Sequence, residues 1–470
     1  MTCQLKIYNT LTKKVETFHS LIPGEARIYT CGPTVYDFAH IGNFRSYIFS
    51  DLLRTALEFS NHRVIQVMNI TDVDDKTIRR SNEEKVSLKE FTQRYTKAFF
   101  EDLEKLKITK PEYTPFATEH ISDMINLIKI LEEKGFTYRS EGSVYFSIDK
   151  FNSYGKLSGM NLKKNIDGVR VDSDEYEKSS AKDFVLWKAK KENEPYWESI
   201  FGPGRPGWHI ECSAMSIKYL GESFDIHTGG TDLIFPHHEN EIAQSESATG
   251  KKFVSYWVHC AYLIVENEKM SKSKGNFYTL RDILAMKYSP EVVRFLLLST
   301  HYRKNLNFTF EGLKQATLSV EKIKLFHKSI TEAPVIESED SQTEKITEEY
   351  ETRFKEAICD DLNISEALSY IFELIKEFNK RYYEKPVPER LKNKILSVFE
   401  TFNRVLKLSW DLPDLEEEEK KEVEKLIELR QEAKRKKDFA TADSIRNELL
   451  KKGIILEDTK EGVRWKRIER

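Results

Sequence analysis

The chain contains no run approaching the roughly 18 apolar residues that a membrane-spanning helix needs. Met1–Lys14 lacks the apolar core of a signal peptide, so the chain is expected to be cytoplasmic, with no membrane partner. Its five cysteines are widely scattered, and no two form a C-x-x-C pair. That argues against a disulfide framework. No excess of positive charge is present either: 74 Lys and Arg face 77 Asp and Glu, a net charge of -3. Any contact with nucleic acid must therefore come from local patches. There is no internal repeat and no extended low-complexity region.

What is present fits a multi-domain soluble enzyme. A length of 470 residues suggests about three domains. Hydrophobic residues at 39% suffice for real cores, while charged residues at 32% exceed the usual ~25%. The run Ala26–Thr30 reads as a strand, Gly42–Phe59 as a helix and Arg63–Ile70 as a second strand. From residue 127 the pattern changes to short strand-like runs, such as Ser143–Ile148 and Asp183–Lys188, between Gly- and Asp-rich turns. This reads as an insertion between two halves of a nucleotide-binding fold. The α/β pattern resumes over Phe224–Val265. From Leu313 to Trp410 apolar residues recur at helical spacing, as in Ala367, Tyr370, Ile371, Leu374, Ile375 and Phe378. The polar, acidic stretch Thr331–Glu349 is expected to be an exposed loop, and a last segment begins near Glu416.

Two short segments carry the most chemistry. Ala39-His40-Ile41-Gly42-Asn43 sits in the turn between the first strand and its helix, where nucleotides dock in a βαβ unit. Gly42 allows close approach of a ligand, and the helix N-terminus favours phosphate. Lys269-Met270-Ser271-Lys272-Ser273 supplies Lys269 and Lys272, two cations suited to neutralising a breaking triphosphate. The pair, in this order, resembles the two signatures of class I aminoacyl-tRNA synthetases. That family's first signature is usually written HIGH, whereas the fourth residue here is Asn43. Asparagine can donate a hydrogen bond but cannot carry a charge.

A second constellation suggests a metal. Cys31 ends the first strand, Cys212 lies in Trp208-His209-Ile210-Glu211-Cys212, and His237 and Glu241 lie in Pro236-His237-His238-Glu239-Asn240-Glu241. Pro236 suits the first position of a helix and Gly250 its end. Residues four apart on a helix share a face, so His237 and Glu241 can point at one ion. Two sulfurs, an imidazole and a carboxylate suit tetrahedral zinc. Spacing alone favours the other reading, in which Cys31 and Cys212 are small buried hydrophobes.

Longer stretches point further. Tyr29–Asp37, Asn69–Lys76, Gly204–Met215, Phe235–Ser245 and Lys269–Asn276 resemble, along essentially the whole chain, the bacterial-type cysteinyl-tRNA synthetase family. The resemblance implies an α/β fold: a class I Rossmann-type nucleotide-binding domain with an inserted connective domain, then an all-α helical bundle and a small C-terminal anticodon-binding domain. The corresponding ranges are 1–126 and 224–265 for the Rossmann halves and 127–223 for the insertion. A region around KMSKS covers 266–312, the helical domain 313–415 and the anticodon-binding domain 416–470. It also implies one zinc at the floor of the amino-acid pocket, held by Cys31, Cys212, His237 and Glu241. An apolar pocket separates near-isosteres only roughly a hundredfold, whereas translation needs about 10⁴ or more. Zinc binds a thiolate strongly and a serine hydroxyl weakly, so discrimination needs no editing site.

The implied reaction joins L-cysteine to ATP and then to tRNA(Cys), with Mg2+ accompanying ATP. The protein is expected to act as a monomer. His40, Gly42 and Asn43 are expected at ATP, Lys269 and Lys272 at its outer phosphates. Thr71, Trp208 and Asp232 are candidates for holding cysteine or the adenylate. Asp72, Asp74 and Asp75 could coordinate magnesium or cap a helix. In the tail, Lys434, Arg435, Asp443, Asp458 and Trp465 are candidates for RNA: cations for phosphates, carboxylates for a guanine edge, an indole for stacking.

Other classes fit less well. A ligase joining cysteine to a small-molecule amine lacks the long tail. A methionyl-tRNA synthetase carries cysteine-rich knuckles that are absent. A non-catalytic tRNA-binding paralogue is expected to lose KMSKS. A metalloprotease needs the second histidine of HExxH.

Overall fold

The computed structural model describes residues 3–160, 183–271, 274–411, 417–436, 438–451, 454–459 and 462–467. A hairpin of β1 (Lys6–Asn9) and β2 (Lys14–Thr17) leads into β3 (Glu25–Thr30), α1 (Ile41–Phe59) and β4 (Arg63–Met68). Then come α2 (Asp75–Glu84), α3 (Leu88–Lys105) and α4 (Ile121–Glu133). The inserted strands are β5 (Thr137–Ser140), β6 (Ser143–Phe146), β7 (Phe184–Ala189) and β8 (Gly204–Pro206). They are followed by α5 (Trp208–Leu220), β9 (Phe224–Gly230), α6 (Glu239–Thr249), β10 (Val254–Cys260), β11 (Leu263–Val265) and β12 (Glu268–Lys269). The remainder is mainly helical: α7 (Leu280–Ala285), α8 (Pro290–Leu298), β13 (Leu306–Phe308), α9 (Phe310–Glu332), β14 (Val335–Ile336), α10 (Ser341–Cys359), α11 (Ile364–Tyr382), β15 (Val387–Pro388) and α12 (Glu389–Leu406). The last elements are α13 (Glu417–Arg435), α14 (Phe439–Lys451), β16 (Ile454–Thr459) and β17 (Gly462–Arg467).

Two compact units result. The first is Met1–Arg281 with Thr300–Asn307 and Lys355–Ala367; the second is Asp282–Ser299, Phe308–Phe354 and Leu368–Arg470. In the first, four parallel strands run in the order β10-β9-β3-β4. β3 is buried along its last three residues, as a strand covered on both faces must be. α1 buries Phe44, Leu53 and Leu57 completely, each contributing about 1.5–3 kcal/mol. From β3 the chain crosses by α1 to β4 on one side; β9 and β10 are added on the other. The border between β3 and β9 is therefore where the strand order reverses, and ligands of such sheets bind beyond its carboxyl ends. A separate antiparallel sheet, β5-β6-β7-β8, makes up the insertion.

The second unit holds α8, α9 and α12–α14 entire. Ile371, Leu374, Ile375 and Phe378 are buried, whereas Tyr370 is half-buried. α13, α14 and the β16–β17 hairpin share a small core of Val423, Ile427, Ile445, Leu449 and Leu456.

Three expectations need correction. Thr331–Glu349 is not a loop: Thr331 and Glu332 close α9, Val335–Ile336 pairs with β15, and α10 begins at Ser341. Its buried face starts with threonines, Thr343 and Thr347, which hid the periodicity. Asp340 accepts from Thr343 N at 3.0 Å, so acidity there marks a helix start. The cysteines are not all separate, since Cys3 and Cys359 form a disulfide. The parallel bridge between Lys6 and Asp360 brings the two segments together. Pro236 is not the first residue of α6; it lies in the turn Ile234–His238 after a cis peptide, and α6 starts at Glu239.

The carboxylates after β4 divide three ways. Asp72 accepts from Thr118 N at 2.9 Å and from Thr118 Oγ1 at 2.6 Å. Asp74 caps α2 by accepting from Lys76 N at 2.8 Å. Asp75 pairs with Lys188 Nζ at 2.6 Å and with Arg205, joining α2 to the inserted sheet. Burial alone raises the Asp75 carboxyl, but Lys188 and Arg205 outweigh it and hold it down at about 2. Its ionised form is thus favoured by folding. The contribution is complete above the ordinary value of 3.8 and is lost as pH falls through about 2. In urea titrations, the stability gap between the native chain and Asp75→Asn should be flat above that ordinary value and close below it. A gap that stays constant into strong acid assigns the effect to something other than this ion pair.

Candidate active site and metal centre

The exits of β3, β4 and β9 converge at the carboxyl edge of the sheet. A Cβ on Gly32 would lie 1.6 Å from Asn69 O, so only glycine lets the chains leaving β3 and β4 pass this closely. Cys31 precedes it. Cys212 comes from α5, and His237 and Glu241 from the turn before α6 and its first turn. One donor atom from each of Cys31, Cys212, His237 and Glu241 lies within 4.8 Å of all the others. His237 Nε2 is 3.0 Å from Glu241 Oε1. The indole of Trp208 stacks on the His237 ring at 4.1 Å, and His237 Nδ1 meets His209 Nδ1 at 2.8 Å. Together these hold Nε2 toward the cluster.

The electrostatics suit a cation. Glu241 is fully buried. Burial raises its carboxyl, but His227 and His237 outweigh that and hold it at about 2. Burial lowers His237, and Glu241 with Cys212 carries it up to about 10. The hydrogen bond from Cys31 draws the Cys212 thiol down to about 6 against the effect of burial, while burial pushes Cys31 up. The anionic carboxylate and the easily ionised thiol are balanced here by the His237 imidazolium, a charge that a bound cation would replace. Two sulfurs, one imidazole and one carboxylate fit a tetrahedral ion of zinc type.

The sequence reading missed a second donor set. Donor atoms of Cys31, His227, His238 and Glu241 lie equally close together. The signal was available: His209, His227, His237, His238 and His259 are five of 11 histidines, crowded between 209 and 259. His227 Nε2 binds Glu241 Oε2 at 2.9 Å, and His238 Nε2 lies 3.3 Å from Cys31 Sγ. Burial holds His238 well below its usual range and His259 at about 3, so both rings are neutral.

The two signature segments also meet. His40 bridges to Thr279, and Ile41 N donates to Tyr278 O at 3.0 Å. A Cβ on Gly42 would lie 3.0 Å from the His40 ring and 3.2 Å from Met270 Cε, so the absent side chain leaves room for the capping ring beside the KMSKS loop. That loop is braced where Asn276 Oδ1 accepts from Ser271 N at 2.8 Å and Asn276 Nδ2 donates to Lys269 O at 3.3 Å. Lys269 is exposed; Lys272 lies outside the described residues. His40 caps α1: Asn43 N donates to His40 Nδ1 at 3.2 Å, and His40 N donates to Asn43 Oδ1 at 3.0 Å. A ring that accepts at Nδ1 carries its proton on Nε2, a donor suited to phosphate. Asn43 thus has a local role that needs no charge.

Among the other candidates, Thr71 is buried and its hydroxyl donates to Glu211 Oε2 at 2.8 Å. Trp208 is 37% exposed, so its indole reaches solvent as well as packing on His237. Asp232 is exposed just beyond β9. In the tail, Lys434 and Arg435 are exposed near the end of α13 and Asp443 is exposed on α14. Asp458 and Trp465 belong to the β16–β17 hairpin, and their side chains lie outside the described residues.

The family tRNA synthetases class I (C) catalytic domain matches residues 17–318. The DALR domain family matches 353–409, and the family Cysteinyl-tRNA ligase anticodon binding domain matches 416–465. The cysteine–tRNA ligase of Brachyspira hyodysenteriae is 50% identical over 471 residues, covering 98% of each chain. The chain belongs to the cysteine–tRNA ligase family. A second member, from Solibacter usitatus, is 49% identical over 463 residues, covering 98% of this chain and 99% of its own. The fold extends to other class I synthetases. Mycobacterium tuberculosis methionyl-tRNA synthetase in complex with methionyl-adenylate superposes with a TM-score of 0.59 at 14% identity, covering 81% of this chain and 89% of that one. Among the described residues no helix is long and apolar enough to cross a membrane.

The capping box makes a specific demand on Asn43. Asn43→Ala removes the acceptor for His40 N and should cost about 1 kcal/mol, read as a lower urea midpoint. An unchanged midpoint assigns no stabilising role to the Asn43 side chain.

Proposed function

We propose that the chain is a cysteine–tRNA ligase: it joins L-cysteine to ATP as cysteinyl-adenylate, releases pyrophosphate, and transfers cysteine to the 3′ end of tRNA(Cys). The observation that carries this reading is the Cys31–Cys212–His237–Glu241 cluster at the same sheet edge as the joined signature segments. No side-chain nucleophile is required, because the cysteine carboxylate attacks the α-phosphate. The protein's work is positioning and charge stabilisation. His40 Nε2–H and the first turn of α1, with Gly42 and Asn43, face the triphosphate of the Mg2+–ATP complex. Lys269 and Lys272 take up charge as pyrophosphate leaves. Trp208 and Asp232 flank the amino acid, and Thr71 holds Glu211 in place beneath it.

Cys31, Cys212, His237 and Glu241 would hold one zinc; when bound it would supply a soft cation at the pocket floor, which favours a thiolate over the harder serine hydroxyl. The alternative set of Cys31, His227, His238 and Glu241 offers only one sulfur. That leaves the pair of sulfurs as the softer site. The tail, with Lys434, Arg435, Asp443, Asp458 and Trp465, reads the anticodon. The enzyme works as a monomer in the cytoplasm.

Pyrophosphate exchange tests the reading: cysteine should support it and serine and methionine should not. Equal exchange with serine overturns it. Elemental analysis should find one zinc per chain, and Cys212→Ala should lose it. Full zinc in that variant reassigns the ligands.

A chain truncated before residue 416 should keep pyrophosphate exchange and no longer transfer cysteine efficiently to tRNA. The salt dependence of tRNA binding should flatten by a slope of roughly 0.7 for each phosphate that the tail no longer neutralises. If the truncated enzyme still rejects a tRNA with an altered anticodon, the anticodon is read elsewhere.

A further inference from the structure

We propose that Arg281 is a positioning residue for His40: its guanidinium fixes the segment 277–281, which follows KMSKS, against the start of α1. This rests on the reading of His40 as a contact of ATP. Three contacts seat that segment on the first signature. The Phe277 ring meets the His40 ring edge-on with centroids 5.2 Å apart, Ile41 N donates to Tyr278 O at 3.0 Å, and Thr279 bridges to His40. Arg281 stands two residues beyond that bridge. Its Nη2 donates to Ala98 O at 3.2 Å and to Glu101 Oε2 at 2.8 Å, and its Nε lies 3.3 Å from Asp102 Oδ1, all on α3. Its planar head also lies over the Phe38 ring, 5.1 Å from the centroid. Phe38 is two residues before His40.

These contacts close a ring. α3 is held to α1, because Phe99 packs against Phe44 and Tyr47 with centroids 6.2 and 5.2 Å apart. Arg281 carries that fixed reference to the segment lying against His40. The histidine is thereby located from two sides, through Phe38 before it in the chain and through residues 277–279 beside it. A guanidinium suits this task, since it presents several donors in one plane to a carbonyl and two carboxylates while its face stacks on an aromatic ring. Asp102 anchors it: that carboxylate is 1% exposed, and Lys105 Nζ is 3.8 Å away. Where catalysis is placement, a shift of about 1 Å can cost about 100-fold in rate.

Pyrophosphate exchange by the full chain tests this. Arg281→Met keeps an unbranched side chain and removes every donor. Its kcat should fall about 10–100-fold, with the KM for cysteine unchanged, because Cys31, Cys212 and Trp208 take no part in the clamp. In a His40→Ala background the same substitution should cost nothing further, since it acts through that ring. Should Arg281→Met fail to fold, Arg281→Met combined with Asp102→Asn strands no buried charge. It should show the same loss of kcat and the same dependence on His40. A native kcat in the folded variant, a loss undiminished in the His40→Ala background, or a loss carried wholly by the KM for cysteine overturns the proposal. If His40→Ala alone exchanges at the native rate, the reading of His40 is wrong, and this inference falls with it.

Discussion

The buried carboxylate of Glu241 is the group around which the site is organised. It has no exposure to solvent, yet it is held ionised, with one oxygen on His227 and the other on His237. Removing one partner of such a buried pair typically costs about 3–5 kcal/mol. The carboxylate therefore dictates where β9 and the turn before α6 must lie. Those elements also bring His238 to Cys31, and Cys31 is the residue immediately beyond β3. A single charge buried at the reversal point of the sheet thus ties together both halves of the nucleotide-binding fold.

Close backbone approach is the second constraint. Glycine at 32 lets the chain leaving β3 pass the Asn69 backbone, and glycine at 42 leaves room for the His40 ring and the Met270 side chain. The reaction asks for groups to be placed, not for a side chain to be consumed, so tight backbone packing and a helix N-terminus count for more than any one acid or base. The His40–Asn43 capping box fits the same logic. The residue that departs from the usual signature serves the start of α1, where an uncharged amide suffices.

Outside the sheet edge, the insertion is joined to the catalytic unit through Asp75, Lys188 and Arg205. Both cationic side chains are almost wholly buried. β8 runs directly into α5, which carries Trp208 and Cys212. The ion pair therefore steadies the base of a helix that supplies two candidate site residues, a use of the carboxylates after β4 that involves no metal.

The βαβ opening, the insertion and the helical second unit were legible in the chain before folding, from local periodicity and from contiguous motifs such as GRPGWHIECSAM. The four candidate ligands were named by family resemblance, where spacing alone favoured buried cysteines. α10 was not legible, because threonines occupy the first turns of that helix's buried face. Nor was the Cys3–Cys359 pair, because that depends on β1 lying beside residue 360. It took the folded arrangement to show that His227, His238, His259 and Thr10 converge behind Cys31, that Gly42 meets Met270, and that Asp72 goes to Thr118 and Asp75 to Lys188 and Arg205. These are contacts between segments tens to hundreds of residues apart. Their geometry follows from which strand lies beside which in the sheet, and no spacing along the chain encodes that.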